Sequence, residues 1–286
     1  MFVPRRIVEE KLKQILADDI GQGDVTAAAV IPANLTVTAE VIAKEEGVAA
    51  GIEEATFLME YLGLKVRANV ADGEKIKNRQ VLMQISGDAQ TILSSERTML
   101  NLLSRMSGIA TKTRMLIGKL EKANAKTKIA ATRKSAPGLL YFDKKAVVIG
   151  GGDSHRLHLD DMVLIKDNHL AIVGSVEEAV KRAKAYGSFA KKIEIEVTTV
   201  EDSLKAAKAG ADVVMLDNFS PKQAKAAGAA LGEAGFGKVL LEVSGGITGE
   251  NMLEYASAEV DVISMGELTQ SVKALDISLE ILKNLK

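Results

Sequence analysis

Residues 132–169, TRKSAPGLLYFDKKAVVIGGGDSHRLHLDDMVLIKDNH, gather the side chains of this sequence best suited to holding an anion. All three histidines lie here, His155, His158 and His169, together with Arg133, Lys134, Arg156 and Lys166. Arginine presents a planar fork that matches carboxylate and phosphate oxygens, and lysine a mobile point charge. Gly150, Gly151 and Gly152 stand just before His155 and Arg156, and consecutive glycines permit positive φ or a close backbone approach to a ligand. Cations around a glycine turn suit a small anionic molecule. A solvated basic loop is the plainer reading, but KIAA precedes Arg133 and MVLI precedes Lys166, which puts the cations at strand ends.

Further polar residues stand at comparable places. Arg133, Lys166, Glu196, Asp217, Ser244 and Gly266 each follow or end an apolar, strand-like segment. In parallel strand–helix folds those ends converge on one face, where ligands bind. Any one of them has a structural explanation; Asp217 in LDNFSP could be a helix cap. Six together, with both charge signs, point to a site. Glu196 and Asp217 offer oxygens to Mg²⁺, directly or through water. They could equally hydrogen-bond ribose hydroxyls or stabilise positive charge on a sugar ring. Glu194 shares the strand face of Glu196, and Glu196, nearer the end, is the choice between them. The small segments Ser244, Gly245, Gly246 and Met265, Gly266, Glu267 fall late in the series, where exposed backbone amides cradle phosphate. His155 serves as an acid–base group or as a pocket cation. His158 reads as structural and His169 as an orienter of the KDNH loop. The 155, 158, 169 spacing fits no zinc motif. Lys166 also admits a rival chemistry, a Schiff base at a barrel strand end.

The elements that must position these residues can be read from periodicity. Apolar spacing predicts an amphipathic helix over 5–19, and alternation predicts a strand over 35–43 (LTVTAEVIA). GQGDVT between them reads as a turn in which Asp24 bonds nearby amides. A helix over 53–62 and strands over 65–70 and 81–85 complete an N-terminal α/β sandwich domain, 1–107. TILSSERTMLNLLSRM predicts a helix over 91–106, which Gly108 separates from a second over 109–123. From residue 128 the rhythm changes to six strand-like segments alternating with helices: KIAAT, MVLIK, KIEIEV, DVVML, KVLLEV and DVISM. Short loops between them mean parallel strands with right-handed crossovers. Six is fewer than the eight of a closed barrel. The class is therefore α/β, with an open, incomplete (β/α) barrel over 108–270 carrying the site; a doubly wound sheet is the alternative. Glycines 187 and 210 are expected to end helices. A last helix over 275–285, within 271–286, is expected to pack on the N-terminal domain.

Bulk properties exclude several classes. The 286 residues carry a formal net charge of −1, which argues against a general polyanion binder. There is no cysteine, hence no disulfide or thiolate catalysis, and aromatic residues are only 3%, too few for base-stacking platforms. No apolar run approaches the roughly 20 residues that span a bilayer. A cytoplasmic protein is expected.

ATRKSAPGL, GGGDSHRLHLDD and LIKDNH are similar to the core motifs of quinolinate phosphoribosyltransferases, and EVSGGI, DVISMG, EIEV and MLDNF resemble further family segments in the same order. The resemblance covers nearly the whole chain. It implies phosphoribosyl transfer from phosphoribosyl pyrophosphate to quinolinate with decarboxylation, using Mg²⁺. By resemblance, Arg97, Arg133, Lys134, His155 and Arg156 hold the carboxylates. Thr132 lies with them, and Lys134, Lys166, Glu196 and Asp217 are the catalytic candidates. Glu196 and Asp217 face the metal and ribose; residues 244–246 and 265–267 hold the 5′-phosphate. ERTMLNLLSRMSGIAT resembles a family helix whose arginine, here Arg97, reaches the neighbouring subunit's substrate. That implies a homodimer with shared sites, or a hexamer. One position departs: LTQS places Gln270 where many relatives have histidine. The remaining alternatives are an aldolase-like lyase using Lys166 and a nucleotide-binding paralogue without catalysis.

Overall fold

The computed structural model describes residues 3–282. The chain divides into two compact units. One takes in residues up to Lys112, Val148–Gly150 and those from Val272 onward; the other takes in Thr113–Val147 and Gly151–Ser271. In chain order the first unit supplies α1 (Arg5–Ile20), α2 (Val25–Val30), β1 (Thr36–Ala43), β2 (Gly47–Val48), α3 (Ile52–Tyr61), β3 (Lys65–Ala68), β4 (Lys75–Ile76) and β5 (Val81–Asp88). α4 (Ala89–Lys122) begins in the first unit and ends in the second. The second unit continues with β6 (Lys128–Ala131), α5 (Leu140–Ile149, apart from its last two residues), β7 (Val163–Ile165), α6 (Asp167–Val173), α7 (Val176–Tyr186), β8 (Ile193–Val197) and α8 (Val200–Ala209). It is completed by β9 (Val213–Asp217), α9 (Pro221–Glu233), β10 (Leu240–Ser244), α10 (Met252–Ala256), β11 (Val262–Met265) and α11 (Glu267–Gln270). β12 (Ile277–Leu282) returns to the first unit.

The first unit is built on an antiparallel sheet of order β12-β1-β5-β3. The alternation in β1 buries Ala39, Val41 and Ala43 completely. α3 packs on β3, and α1 on α3, giving the expected sandwich. Asp24 acts as the turn chemistry predicts: its carboxylate accepts the amides of Thr26 and Ala27, both at 2.9 Å, and caps α2.

The second unit has six parallel strands in the order β6-β11-β10-β9-β8-β7. The segments expected as strands are these six. β6 and β7 are the two ends of the order and do not pair, so the barrel is open. Three of the helices begin at a hydroxyl cap: Ser175 for α7, Thr199 for α8 and Ser220 for α9. Each such cap stabilises its helix by about 1 kcal/mol. Because Ser220 caps α9, Asp217 is not needed for that purpose.

Two expectations are corrected. α4 is one helix of 34 residues, not two separated at Gly108. Gly108 is required for contact, not as a break. A Cβ there would lie 2.2 Å from the Lys273 carbonyl oxygen and 3.0 Å from Ala274 Cα, so only glycine lets the helix approach the 273–275 backbone. Leu275 N–H then donates to Ser104 O at 2.9 Å. The continuous helix also carries the division between units past 107, into Lys112–Thr113.

Second, the expected last helix is a strand. ISLEIL fits period 2 as well as helical spacing, and the free edge of β1 decides, pairing Ile277 with Ala43, Leu279 with Val41 and Ile281 with Ala39. The segment does pack on the first unit, as a fourth strand; residues 283–285 of the expected helix lie outside the described residues. Gly187 and Gly210 end α7 and α8 as expected, Gly210 with left-handed backbone (φ 94°) and Gly187 with extended backbone (φ −74°).

The two α4 glycines should respond oppositely to substitution. Gly108→Ala should lower stability by about 1–3 kcal/mol or more through overpacking against backbone that cannot yield. Gly118 meets nothing within 4 Å, and Gly118→Ala should raise stability by about 0.5–1 kcal/mol through helix propensity. Urea unfolding midpoints of both variants check the sign of each.

Candidate active site

The six strands alternate inward and outward, and their inward rows meet at the C-terminal ends around a cavity of about 900 Å³. Its lining takes Thr132, Arg133 and Lys134 from the loop after β6, and His155 and Arg156 from the loop before β7. Lys166, Glu196, Asp217 and Ser244 come from strand ends, with Gly245, Gly246, Gly266 and Glu267 from the late loops. The cavity therefore brings together thirteen of the fifteen candidate residues.

The two others fall elsewhere. Arg97 belongs to the first unit, on α4, with an exposed side chain 3.9 Å from Glu96. Met265 is fully buried, because the strand alternation that turns Ser264 toward the cavity turns Met265 away. Its side chain is therefore core, and any part it has on the phosphate side belongs to its backbone.

The acidic strand ends carry specific partners. Lys166 Nζ forms an ion pair with Glu196 Oε1. A Schiff-base lysine needs a free amine, and this one donates to a carboxylate. The KDNH loop is held as expected: His169 Nδ1 accepts the Lys166 amide at 2.9 Å and fixes the start of α6. His158 does not line the cavity; its amide donates to Asp161 at 2.8 Å. Asp217 Oδ2 accepts Asn218 Nδ2 at 2.9 Å.

The glycine loops are shaped by close approach. Gly245 has φ +92°, and a Cβ there would lie 2.3 Å from Asn218 Oδ1 and 3.0 Å from Asn218 N. The Asn218 amide in turn donates to Ser244 O at 2.9 Å. The loop is not a helix terminus, since α10 starts only at Met252. Gly266, by contrast, directly precedes α11. Glu267 ties the two loops together, its Oε2 accepting the Gly249 amide at 3.1 Å, while Lys119 Nζ donates to Gly249 O at 2.6 Å.

Beneath the cations lies a cluster that sequence reading passed over. His155 Nε2 sits 3.3 Å from Glu194 Oε2 and 3.2 Å from Glu242 Oε2, and both glutamates are buried. Burial opposes charge on His155, but hydrogen bonds and charge from Glu194 and Glu242 override it and raise the imidazole to about 10. Burial, reinforced by Glu242, pushes the Glu194 carboxyl up. A raised imidazole argues for two ring protons, yet Arg156 N–H donates to Nδ1 at 2.8 Å, which requires that nitrogen bare. The direct contact leaves Nδ1 as the acceptor and puts the ring N–H on Nε2, facing the two carboxylates. Both imidazole nitrogens are thus engaged within the protein. The three groups could also enclose a metal ion, as could Glu53, Glu54 and Asp72 in the first unit. Glu242 had a legible signal. It lies two residues before Ser244, the same alternation that pairs Glu194 with Glu196.

Cations dominate the other wall. Burial, then Arg133, lowers the Arg156 guanidinium from its ordinary value. Burial, then Arg133 and Arg156, lowers Lys144, a fully buried residue of α5, to about 8. Mutual repulsion of this kind favours binding of an anion with more than one negative charge. Gln270 lines the cavity and offers an amide, which hydrogen-bonds but transfers no proton at neutral pH.

Comparison with known proteins gives the family. Residues 24–107 match the family described as quinolinate phosphoribosyl transferase, N-terminal domain, and residues 109–280 match its C-terminal domain. A probable nicotinate-nucleotide pyrophosphorylase [carboxylating] of Methanothermobacter thermautotrophicus is 44% identical over 271 residues, covering 94% of this chain and 97% of the relative. The nicotinate-nucleotide pyrophosphorylase [carboxylating] of Dictyostelium discoideum is 37% identical, covering 99% and 98%. The solved nicotinate-nucleotide pyrophosphorylase of Francisella tularensis superposes with a TM-score of 0.89 at 36% identity, covering 98% of each chain. On the two domain matches and these full-length relatives, the chain belongs to the quinolinate phosphoribosyl transferase family.

Proposed function

We infer that the protein transfers the phosphoribosyl group of phosphoribosyl pyrophosphate to quinolinate and releases CO₂. The products are nicotinate mononucleotide and pyrophosphate, a step of NAD biosynthesis. The observation that carries this reading is one cavity with a cationic wall at Arg133, Lys134 and Arg156, glycine loops at 244–246 and 266–267, and Glu196 and Asp217 among its strand ends. Two ligands of different chemistry suit this lining, a dicarboxylate its cations and a sugar phosphate its glycine loops.

Each group of residues has a part in the chemistry. Pyrophosphate leaves ribose C1 as the pyridine nitrogen attacks, through an oxocarbenium-like state. Such a reaction needs positioning and electrostatics and no covalent nucleophile. Arg133, Lys134 and Arg156 orient the two carboxylates so that the ring nitrogen faces C1. Glu196 and Asp217 face the positive charge that develops on the sugar, and Lys166, held by Glu196, stands at the same strand ends. Once the nitrogen is cationic, the C2–carboxylate bond breaks with its electron pair left on C2, which then takes up a proton. Glu196 and Asp217 supply the hard oxygen donors that Mg²⁺ prefers, and they would hold it, directly or through water. When bound, Mg²⁺ would neutralise pyrophosphate as it departs. The activity is tested by pyrophosphate release from phosphoribosyl pyrophosphate with quinolinate and Mg²⁺. Release without dependence on quinolinate would overturn the reading.

The aldolase-like alternative is not favoured, because Lys166 is committed to Glu196. Among the described residues no helix is long and apolar enough to cross a membrane, and we take the enzyme to work in the cytoplasm. We also take it to act as a homodimer, alone or within a hexamer, with Arg97 entering the partner's cavity. The support is an exposed arginine on α4 that does not line the cavity of its own chain. Mixing inactive Arg97→Ala subunits with inactive Lys166→Ala subunits should then restore up to about a quarter of wild-type activity, through one intact site per mixed dimer. No recovery, despite subunit exchange seen by mass spectrometry, counts against sharing.

A further inference from the structure

α5 carries two adjacent residues, Asp143 and Lys144, whose side chains are both completely buried. Neither lines the cavity. Their partners, however, lie in the two loops that carry its cations. Ser135 Oγ donates to Asp143 Oδ2, one residue beyond Arg133 and Lys134. Lys144 Nζ donates to the carbonyl oxygens of Ser154 and Arg156, the residues on either side of His155.

The geometry of the second contact is demanding. For carbonyls two residues apart to turn toward one ammonium, the backbone between them must leave the extended form. His155 does so, with φ +52°, a conformation that side chains other than glycine rarely adopt. The local contacts that accompany the turn are the His155 amide on Asp153 Oδ1 at 2.7 Å and the Arg156 amide on His155 Nδ1 at 2.8 Å. These fix the ring of His155 but not the position of the loop as a whole. The Lys144 hydrogen bonds tie the 154–156 backbone to a helix. On the other loop, Thr269 Oγ1 donates to Lys134 O at 2.7 Å and Asp143 holds the next residue, so that the cations are gripped from two sides. A fully buried lysine is costly to desolvate. An apolar side chain would fill the same space, but it could not gather two carbonyls.

We propose that Asp143 and Lys144 are positioning residues. From one turn of α5 they set the directions in which Arg133 and Lys134, on one loop, and Arg156, on the other, meet the dicarboxylic substrate. The proposal rests on the assignment of that cation wall to the dicarboxylate. It predicts a split effect: binding of the dicarboxylate falls, and binding of the sugar pyrophosphate does not.

Lys144→Met removes the ammonium at similar volume. Titration calorimetry with phthalate, and separately with phosphoribosyl pyrophosphate and Mg²⁺, should show phthalate affinity reduced about tenfold or more and the other affinity within about twofold of wild type. KM for quinolinate should rise in parallel. The absence of cysteine allows a rescue that a merely structural role would not predict. Lys144→Cys, alkylated with 2-bromoethylamine in urea and refolded beside a wild-type control, regains an ammonium on a thioether stem. It should recover phthalate affinity, while the same variant capped with iodoacetamide should not. If the lysine variants do not fold, Ser135→Ala, which removes only the Asp143 tether, should still raise KM for quinolinate selectively. Unchanged phthalate affinity in Lys144→Met, equal loss of both ligands, or unchanged KM in Ser135→Ala would each overturn the proposal. A wild-type enzyme that binds neither phthalate nor quinolinate would instead sink the dicarboxylate assignment, and the proposal with it.

Discussion

Nicotinate should be a very poor substrate, with kcat/KM about 10⁴-fold or more below that of quinolinate. Nicotinate has one carboxylate where quinolinate has two, and the cationic wall holds Arg133, Lys134 and Arg156 close enough that Arg133 already lowers the proton affinity of Arg156. One carboxylate leaves at least one of these groups facing like charge without a counter-ion. Sites built around a polar partner reject analogues lacking it by factors of this size, since the desolvated group is left unpaired. Nicotinate also lacks the 2-carboxylate whose loss makes the overall reaction irreversible. Phthalate, with both carboxylates and no ring nitrogen, should inhibit competitively against quinolinate. Steady-state kinetics with each acid at fixed phosphoribosyl pyrophosphate and Mg²⁺ settle the matter. Comparable kcat/KM for the two acids would mean that the cations serve phosphates, and the dicarboxylate reading would be lost.

Lys166→Ala and Asp217→Ala should each lower kcat by about 10²–10³-fold, the usual cost of removing one preorganised electrostatic group from a transition state. Both residues stand at strand ends that line the cavity, outside the hydrophobic core. Their loss should therefore leave the fold intact, with thermal midpoints within a few degrees of wild type. The two variants should differ in detail. Lys166→Ala frees Glu196 from its ion pair and leaves a carboxylate facing the substrate phosphates. Asp217→Ala removes a carboxylate that accepts a hydrogen bond from the neighbouring Asn218 side chain, and it frees no opposite charge. Activity near wild type in either variant, measured beside its melting curve, would remove that residue from the phosphoribosyl side.

The sequence disclosed the barrel more fully than the first unit, and the reason is physical. Parallel strands buried on both faces are continuous apolar runs, so DVVML stands out, β-branched residues mark KIEIEV despite its two glutamates, and the polar residue at the end of each segment marks the functional end. The same logic exposed thirteen candidates that the structure brings to one cavity. It failed where one residue serves two purposes. Gly108 carries the signature of a helix break, and only the proximity of the 273–275 backbone shows that it is a contact point. ISLEIL fits two periods equally, and a partner strand more than 230 residues away in sequence, Ala43 opposite Ile277, makes the choice. Buried charge was the other blind spot. Glu194, Glu242, Asp143 and Lys144 look like surface residues by type, and their burial depends on partners brought from other elements. Lys144 in FDKKAVV is indistinguishable from its neighbour Lys145 until the 154–156 loop is folded over it.

The pairing of β12 with β1 has a consequence for the order of synthesis. β1 and β5 leave the ribosome early, but the strand that covers the outer edge of β1 is the last described segment of the chain. Between Asp88 and Ile277 lie the residues of the entire second unit, so that at typical translation rates the edge stays open for roughly 10–40 s. An uncovered edge strand is a template for pairing with other chains. Nascent or C-terminally clipped molecules ending before Ile277 should accordingly be the aggregation-prone species, even though their barrel and every cavity residue are complete.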